Sequence, residues 1–202
     1  MSAEAGNAPG AGQRPDEATG DSPFPAQDAA PAAPAPEPPE RRVYVGLGGN
    51  QGDMRANIKA AIDAIASIEC TRVAAVSPLY RSAPVDAEGG DFINAVAALQ
   101  TRLDPYALLL HLADLEMRLG RKRRAGDAPH SAPRSIDLDL LLMGSLILRS
   151  TPLVLPHPRM NQRAFVLRPL ADLDPDLHVP GHGPVQRLLA AVSGQEVELL
   201  PE

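Results

Sequence analysis

The chain has no tryptophan, one cysteine, three tyrosines and three phenylalanines among its 202 residues. The single cysteine, Cys70, excludes an intramolecular disulfide and a cysteine-built zinc site; its expected role is a small buried hydrophobe at a strand start. No apolar run approaches the ~18 residues of a membrane span. The start of the chain lacks the basic stretch and apolar core of a signal peptide. These absences predict a protein of the reducing cytoplasm with no membrane partner. Lysine is scarce too, at Lys59 and Lys122 only. Neither follows glycine ahead of Ser or Thr, which excludes a P-loop.

Proline and alanine are plentiful, and they crowd the first part of the chain. Residues 1–40 hold nine of the 22 prolines, eleven alanines and one aromatic, Phe24. Such a segment cannot bury enough apolar surface to offset its ordering entropy. A disordered tail, partly polyproline II, is expected there. It carries seven acidic residues against Arg14, so the chain's net charge of −6 belongs to the tail. Residues 41–202 balance at 18 basic and 18 acidic side chains. That neutrality is a poor electrostatic match for nucleic acid. The length beyond the tail fits one domain.

Hydrophobic spacing orders this domain. Residues 43–48 (Val-Tyr-Val-Gly-Leu-Gly) read as a strand closing in a glycine turn. A helix follows from about Asp53, with Ile58, Ile62, Ile65 and Ile68 on one stripe. Residues 72–80 are β-like, residues 82–90 turn-rich, and residues 92–101 strand again. Asp104-Pro105 marks a helix start, with Asp as cap and Pro at the first helical position. Leu108, Leu109, Leu112, Leu115 and Leu119 form its buried face, and Gly120 ends it. A strand over residues 137–143 follows, then proline-rich turns, an amphipathic piece at 163–173 and a short helix near 185–192. The order β-α-β-β-α-β predicts a ferredoxin-like α+β fold, with both helices on one face of an antiparallel sheet. The C-terminal pieces could cover the other face and make a three-layer α-β-α sandwich.

Three clusters carry chemistry. The first is Pro133-Arg-Ser-Ile-Asp137-Leu-Asp139. Residues two apart on a strand share a face, so Asp137 and Asp139 present two carboxylates side by side. Such a pair repels itself unless a cation sits between, and Mg²⁺ prefers hard oxygen ligands; the bland reading is a solvated strand edge. The second is Arg118, Arg121, Lys122, Arg123 and Arg124, beside an aperiodic stretch over residues 120–133. It reads as a helix end favoured by the macrodipole, a nucleic-acid patch or a triphosphate clamp, and Arg134 beside the Asp pair favours the clamp. The third is Leu155-Pro-His157-Pro-Arg159-Met-Asn-Gln-Arg163-Ala-Phe165. Phe92 and Phe165 are core residues by default, or stack on a flat heteroaromatic ligand. The glycines of Gly46-Leu-Gly48-Gly49-Asn50-Gln-Gly52-Asp53 do not fit G-x-G-x-x-G, because the third comes one residue late. A tight strand-to-helix turn capped by Asn50 or Asp53 accounts for them.

Taken together, the motifs resemble the 6-hydroxymethyl-7,8-dihydropterin pyrophosphokinase family over roughly residues 43–180. The signature-like part is His130-x-Ala-Pro-Arg134-x-x-Asp137-Leu-Asp139-Leu-Leu. Gly48-Gly-Asn50-x-Gly-Asp53, Tyr80-Arg-Ser82, Phe92-Ile-Asn94 and Pro156-His-Pro-Arg-Met160 fall in the expected order. The resemblance implies a ferredoxin-like three-layer fold. It implies that Asp137 and Asp139 hold two Mg²⁺ ions bridging the ATP phosphates, and that Arg121 and Arg123 act on the transferred group. Arg134, His157 and Arg163 would contact phosphate and nucleotide, with Glu116 a helix-borne carboxylate nearby. Leu109, Leu140 and Leu153 would line the adenine side. Asn94 would bond the pterin edge, Phe92 and Phe165 would sandwich its ring, and Ser82, Ala83 and Val85 would complete that pocket. Ser131-Ala132 stand where the family often has Trp-Gly, so a loop tryptophan is missing.

The expected reaction is Mg²⁺-dependent transfer of pyrophosphate from ATP to the hydroxymethyl group of the reduced pterin, releasing AMP. The expected partners are ATP and the pterin alone, and the expected state is a monomer. Two alternatives stand beside this. One is an inactive pterin- or nucleotide-binding paralogue. The other is a ferredoxin-like RNA-binding module using Tyr44 as a stacking platform.

Overall fold

The structure, a computed structural model, describes residues 38–84, 90–120 and 135–201. The expected tail lies outside the described residues as far as residue 37, and so does the aperiodic segment 121–134. β1 (Arg41–Gly49) leads to α1 (Met54–Ala66), β2 (Thr71–Val76), β3 (Tyr80–Ser82), β4 (Phe92–Thr101), α2 (Pro105–Arg118) and β5 (Asp137–Met143). Then come β6 (Leu148–Arg149), β7 (Val154–Leu155), a 3-10 turn at Met160–Gln162 and α3 (Ala164–Leu173). β8 (His178–Val179), β9 (Gly183–Pro184), α4 (Val185–Ala191) and β10 (Val197–Leu199) complete the order.

The helix starts obey local chemistry. Asp53 accepts from the Ala56 N–H at 3.1 Å. Asp104 accepts from Tyr106 and Ala107, with Pro105 at the first helical position. Gly120, at φ +102°, follows the end of α2 in the left-handed region where glycine is at ease.

One antiparallel sheet runs β10–β3–β4–β1–β5, with β2 also paired to β4. This is the expected ferredoxin-like arrangement. Alternation sorts the strands onto two cores. Val43, Val45, Leu47, Ala95, Ala97, Leu99, Leu138 and Leu140 pack with α1 and α2. Tyr44, Val96, Ala98, Leu141 and Leu142 pack with α3 and α4 on the other face. The result is the three-layer sandwich.

Several details differ from the sequence reading. β1 continues through Gly49, so Gly46 and Gly48 are strand residues rather than a turn. The β-like stretch after α1 is two strands, broken where Pro78 cannot donate to the ladder. Ser77 bridges the break, its N–H donating to Val96 O (2.9 Å) and its hydroxyl accepting from Val96 N (3.0 Å). β10, which the spacing does not announce, joins the sheet beside β3. Cys70 is exposed, at φ +58°, in the turn before β2 and not in the core. Tyr44 is only 3% exposed, which removes it as a stacking platform for bases.

Tyr44 instead ties β1 to the end of α3. Its hydroxyl donates to Asp174 Oδ2 at 2.5 Å and accepts from Arg42 Nε at 2.8 Å. Burial, and then the Asp174 carboxylate, push its pKa up to about 12. A raised folded pKa means the contribution is complete below the ordinary tyrosine pKa of about 10 and is lost as pH rises through the folded value. Tyr44→Phe is expected to cost about 1 kcal/mol in denaturant unfolding at neutral pH. The gap to the parent protein should close between about pH 10 and pH 12.

Candidate active site

β5 begins at Asp137, and its register decides where the two carboxylates go. Asp137 lies opposite Gly48 and Asp139 opposite Gly46 on β1. Both aspartates are half-buried and alternate with Leu138 and Leu140, which point into the core under α2. Asp137 and Asp139 therefore share the face that α3 covers. On the other side of β1, Gly48 lies opposite Asn94. Between the Asn94 side chain and the aspartates, β1 contributes only glycine hydrogens at these positions.

Two side chains hold the entry of β5. Leu138 N–H points away from β1, and buried Glu116 on α2 accepts from it through Oε1 at 2.7 Å. Asn57 on α1 donates to Ser135 O at 3.1 Å and to Gln51 O at 3.0 Å. This amide joins the β1–α1 connection to the residues just ahead of the aspartates. Spacing could not reveal either contact, since each links residues 22 or 78 positions apart.

His157 enters from the far edge of β5, where its N–H donates to Leu141 O at 2.9 Å. Its Nδ1 accepts a long contact from Arg159 N–H (3.4 Å), which leaves the proton of the neutral ring on Nε2. Burial lowers its pKa; Asp139 opposes, Arg163 and Arg159 add to the lowering, and Asp137 opposes. All four charges therefore act on one imidazole. Arg163 places its guanidinium 5.4 Å from the ring centroid of Phe165, as a cation–π pair. Arg159, absent from the expected site, is a half-buried cation of this group.

The other expected residues fall as follows. Asn94 is buried, and its Nδ2 donates to the hydroxyl of buried Ser82 at 3.1 Å. Phe92 is half-buried two residues before Asn94, and so on the same face of β4. Phe165 is half-buried in the first turn of α3, against the core of that same face. Ala83 is exposed. Leu109, Leu140 and Leu153 come together in the cluster under α2, with only Leu109 half-buried and the other two buried. Arg121, Arg123, Arg134 and Val85 lie outside the described residues.

One end of this ferredoxin-like sheet thus carries a carboxylate pair, an imidazole and arginines. Residues 44–175 match the profile of the family described as 7,8-dihydro-6-hydroxymethylpterin-pyrophosphokinase (HPPK). A 2-amino-4-hydroxy-6-hydroxymethyldihydropteridine pyrophosphokinase of Pseudomonas aeruginosa is 46% identical over 162 residues, 80% of this chain and 98% of that one. One from Methylorubrum extorquens is 39% identical over 160 residues, 78% of this chain and 97% of that one. Folic acid synthesis protein fol1 of Schizosaccharomyces pombe is 36% identical over 158 residues, but the match spans only 21% of its length. Among solved structures, Plasmodium falciparum HPPK-DHPS with pteroate superposes with a TM-score of 0.61 at 12% identity. That match covers 77% of this chain and 45% of the Plasmodium chain, and it bears on the fold alone. The chain belongs to the 7,8-dihydro-6-hydroxymethylpterin-pyrophosphokinase family. It is a transferase of the diphosphokinase type, acting in folate biosynthesis.

Glu116 gives this site a direct test. Glu116→Ala leaves a buried N–H without its acceptor at the start of β5, an expected loss of about 1–3 kcal/mol. Turnover should fall roughly 10–100-fold, on the order of the loss when a supporting contact behind a functional side chain is removed. Glu116→Gln retains a carbonyl oxygen and should recover most of the stability. Thermal melting of both variants beside their turnover checks this.

Proposed function

We propose that the protein transfers pyrophosphate from ATP to the hydroxymethyl group of 6-hydroxymethyl-7,8-dihydropterin and releases AMP, with Asp137 and Asp139 as the metal-holding pair. The supporting observation is the position of the two carboxylates on one face, separated from the Asn94 amide only by the glycines of β1. On this reading the metal–phosphate end and the pterin end lie on one face of the sheet.

Two carboxylates suit Mg²⁺, which usually takes one or two protein carboxylates and completes its shell with water and substrate phosphates. Among the described residues, no group of three or more His, Cys, Asp or Glu side chains offers a protein-only cage. When bound, Mg²⁺ supplies charge neutralisation at the phosphate oxygens. The remaining work falls to the chain's own residues. Neutral His157 offers its Nε2–H to a phosphate oxygen, and Arg163 and Arg159 add positive charge beside it. Arg121, Arg123 and Arg134 are assigned to the charge that develops on the transferred group. Phe92 and Phe165 hold the flat pterin ring, and Asn94 bonds its polar edge. Leu109 offers apolar surface to the adenine, with Leu140 and Leu153 behind it.

The pterin hydroxyl oxygen forms a bond to the β-phosphorus. The bond from that phosphorus to the oxygen bridging to the α-phosphorus breaks, and AMP leaves with that oxygen. The hydroxyl proton passes to solvent. Positioning and electrostatics carry such a transfer, with little need for a strong general base.

The test is product analysis with ATP, Mg²⁺ and the reduced pterin. AMP is expected, strictly dependent on the pterin, and Asp139→Asn should lower its release by about 10²–10³-fold. ADP in place of AMP, or an Asp139→Asn variant of full activity, refutes the assignment.

A further inference from the structure

Gly46 and Gly48 stand on the same face of β1, two residues apart. Neither has a positive φ, so the backbone does not demand glycine at either place. The space around them differs. A Cβ at Gly46 would meet the Leu141 side chain at 3.5 Å, an ordinary van der Waals contact. A Cβ at Gly48 would lie 2.8 Å from Asn94 Oδ1, closer than real Cβ atoms come to any neighbour. The Asn94 side chain cannot simply swing away, because its Nδ2 is bonded to the Ser82 hydroxyl and the residue is only 5% exposed.

We infer that Gly48 is a specificity-determining position for the pterin: its missing side chain is the seat on which the Asn94 amide rests, with Ser82 holding the amide from the other side. This rests on the reading of Asn94 as the pterin contact. An amide offers an acceptor and a donor side by side. That pair matches the adjacent N–H and C=O groups of a lactam-containing heterocycle. Ser82 engages one Nδ2 hydrogen; Oδ1, lying over Gly48, and the second hydrogen remain for the ring. A methyl group at position 48 displaces that amide without touching the aspartates. Gly48 is therefore a positioning residue acting through Asn94. Its effect falls on the pterin and not on ATP.

The experiment is a set of variants of the full chain, each measured for KM of pterin, KM of ATP, kcat and melting temperature. Gly48→Ala is expected to raise the pterin KM about tenfold, the scale of one misplaced hydrogen-bonding group, with the ATP KM changed less than about twofold. Gly46→Ala, the same substitution on the same strand and face, is expected to keep the pterin KM. Asn94→Ala tests the underlying reading by itself, because an unchanged pterin KM there refutes Asn94 as the contact. In the Asn94→Ala background, adding Gly48→Ala should have almost no further effect, since the clashing atom is gone. If Gly48→Ala alone does not fold, folding restored in the double variant supports the clash, and failure of both overturns it. Asn94→Ala raising the pterin KM while Gly48→Ala leaves it unchanged overturns the role of Gly48 and spares that of Asn94. Equal rises in both KM values for Gly48→Ala would mark a general disturbance of the strand and also overturn it.

Discussion

The site depends on the register in which β5 pairs with β1. With Asp137 opposite Gly48 and Asp139 opposite Gly46, both carboxylates face the layer of α3 while Leu138 and Leu140 face the core under α2. A slip of one residue would exchange the two sets, burying two carboxylates and exposing two leucines. Either half of that exchange is costly, because buried unpaired charge and exposed apolar surface both disfavour folding. The pairing does contain an irregularity, between Tyr44 and Val45, at the other end of β5. There Leu141 and Leu142 both enter the α3-side core. The bulge is absorbed where only apolar packing is at stake, and the aspartate end keeps strict alternation.

Much of the architecture was legible because it is written in local chemistry. β4 and β5 coincide with the strands expected from their apolar runs, and α2 begins at the Asp-Pro pair that announces it. The two aspartates could be assigned a shared face from spacing alone, since the strand period is two. Glycine most often signals a turn, but Gly46 and Gly48 instead serve space on a central strand. The average habit of cysteine favours burial, but a left-handed turn claims position 70 and leaves Cys70 exposed. Glu116, Asn57 and Ser82 act through partners distant in sequence or through backbone atoms, and neither leaves a periodic trace. β10 is three residues long, too short to show its pairing with β3 before the sheet exists.

The electrostatics of the site follow from the same geometry. His157 sits between carboxylates that favour its proton and arginines that oppose it, and burial settles the matter toward the neutral ring. A neutral imidazole donates one defined hydrogen bond without adding another full charge to balance. Arg163, meanwhile, spends one face of its guanidinium on the Phe165 ring. Arg163 and Phe165 are thereby a single packed unit, held at the start of α3.

β5 is also the border of its sheet, with β1 on one side only. An uncovered border strand rich in leucine is a template on which another polypeptide can add itself. Here the outward Leu138 N–H is taken by the Glu116 carboxylate and the outward Leu141 carbonyl by the His157 N–H. The contacts that aim the aspartates and seat the histidine thus also deny that border to an incoming strand. Changes that loosen them carry a second liability besides lost turnover, which is lower solubility of the folded protein.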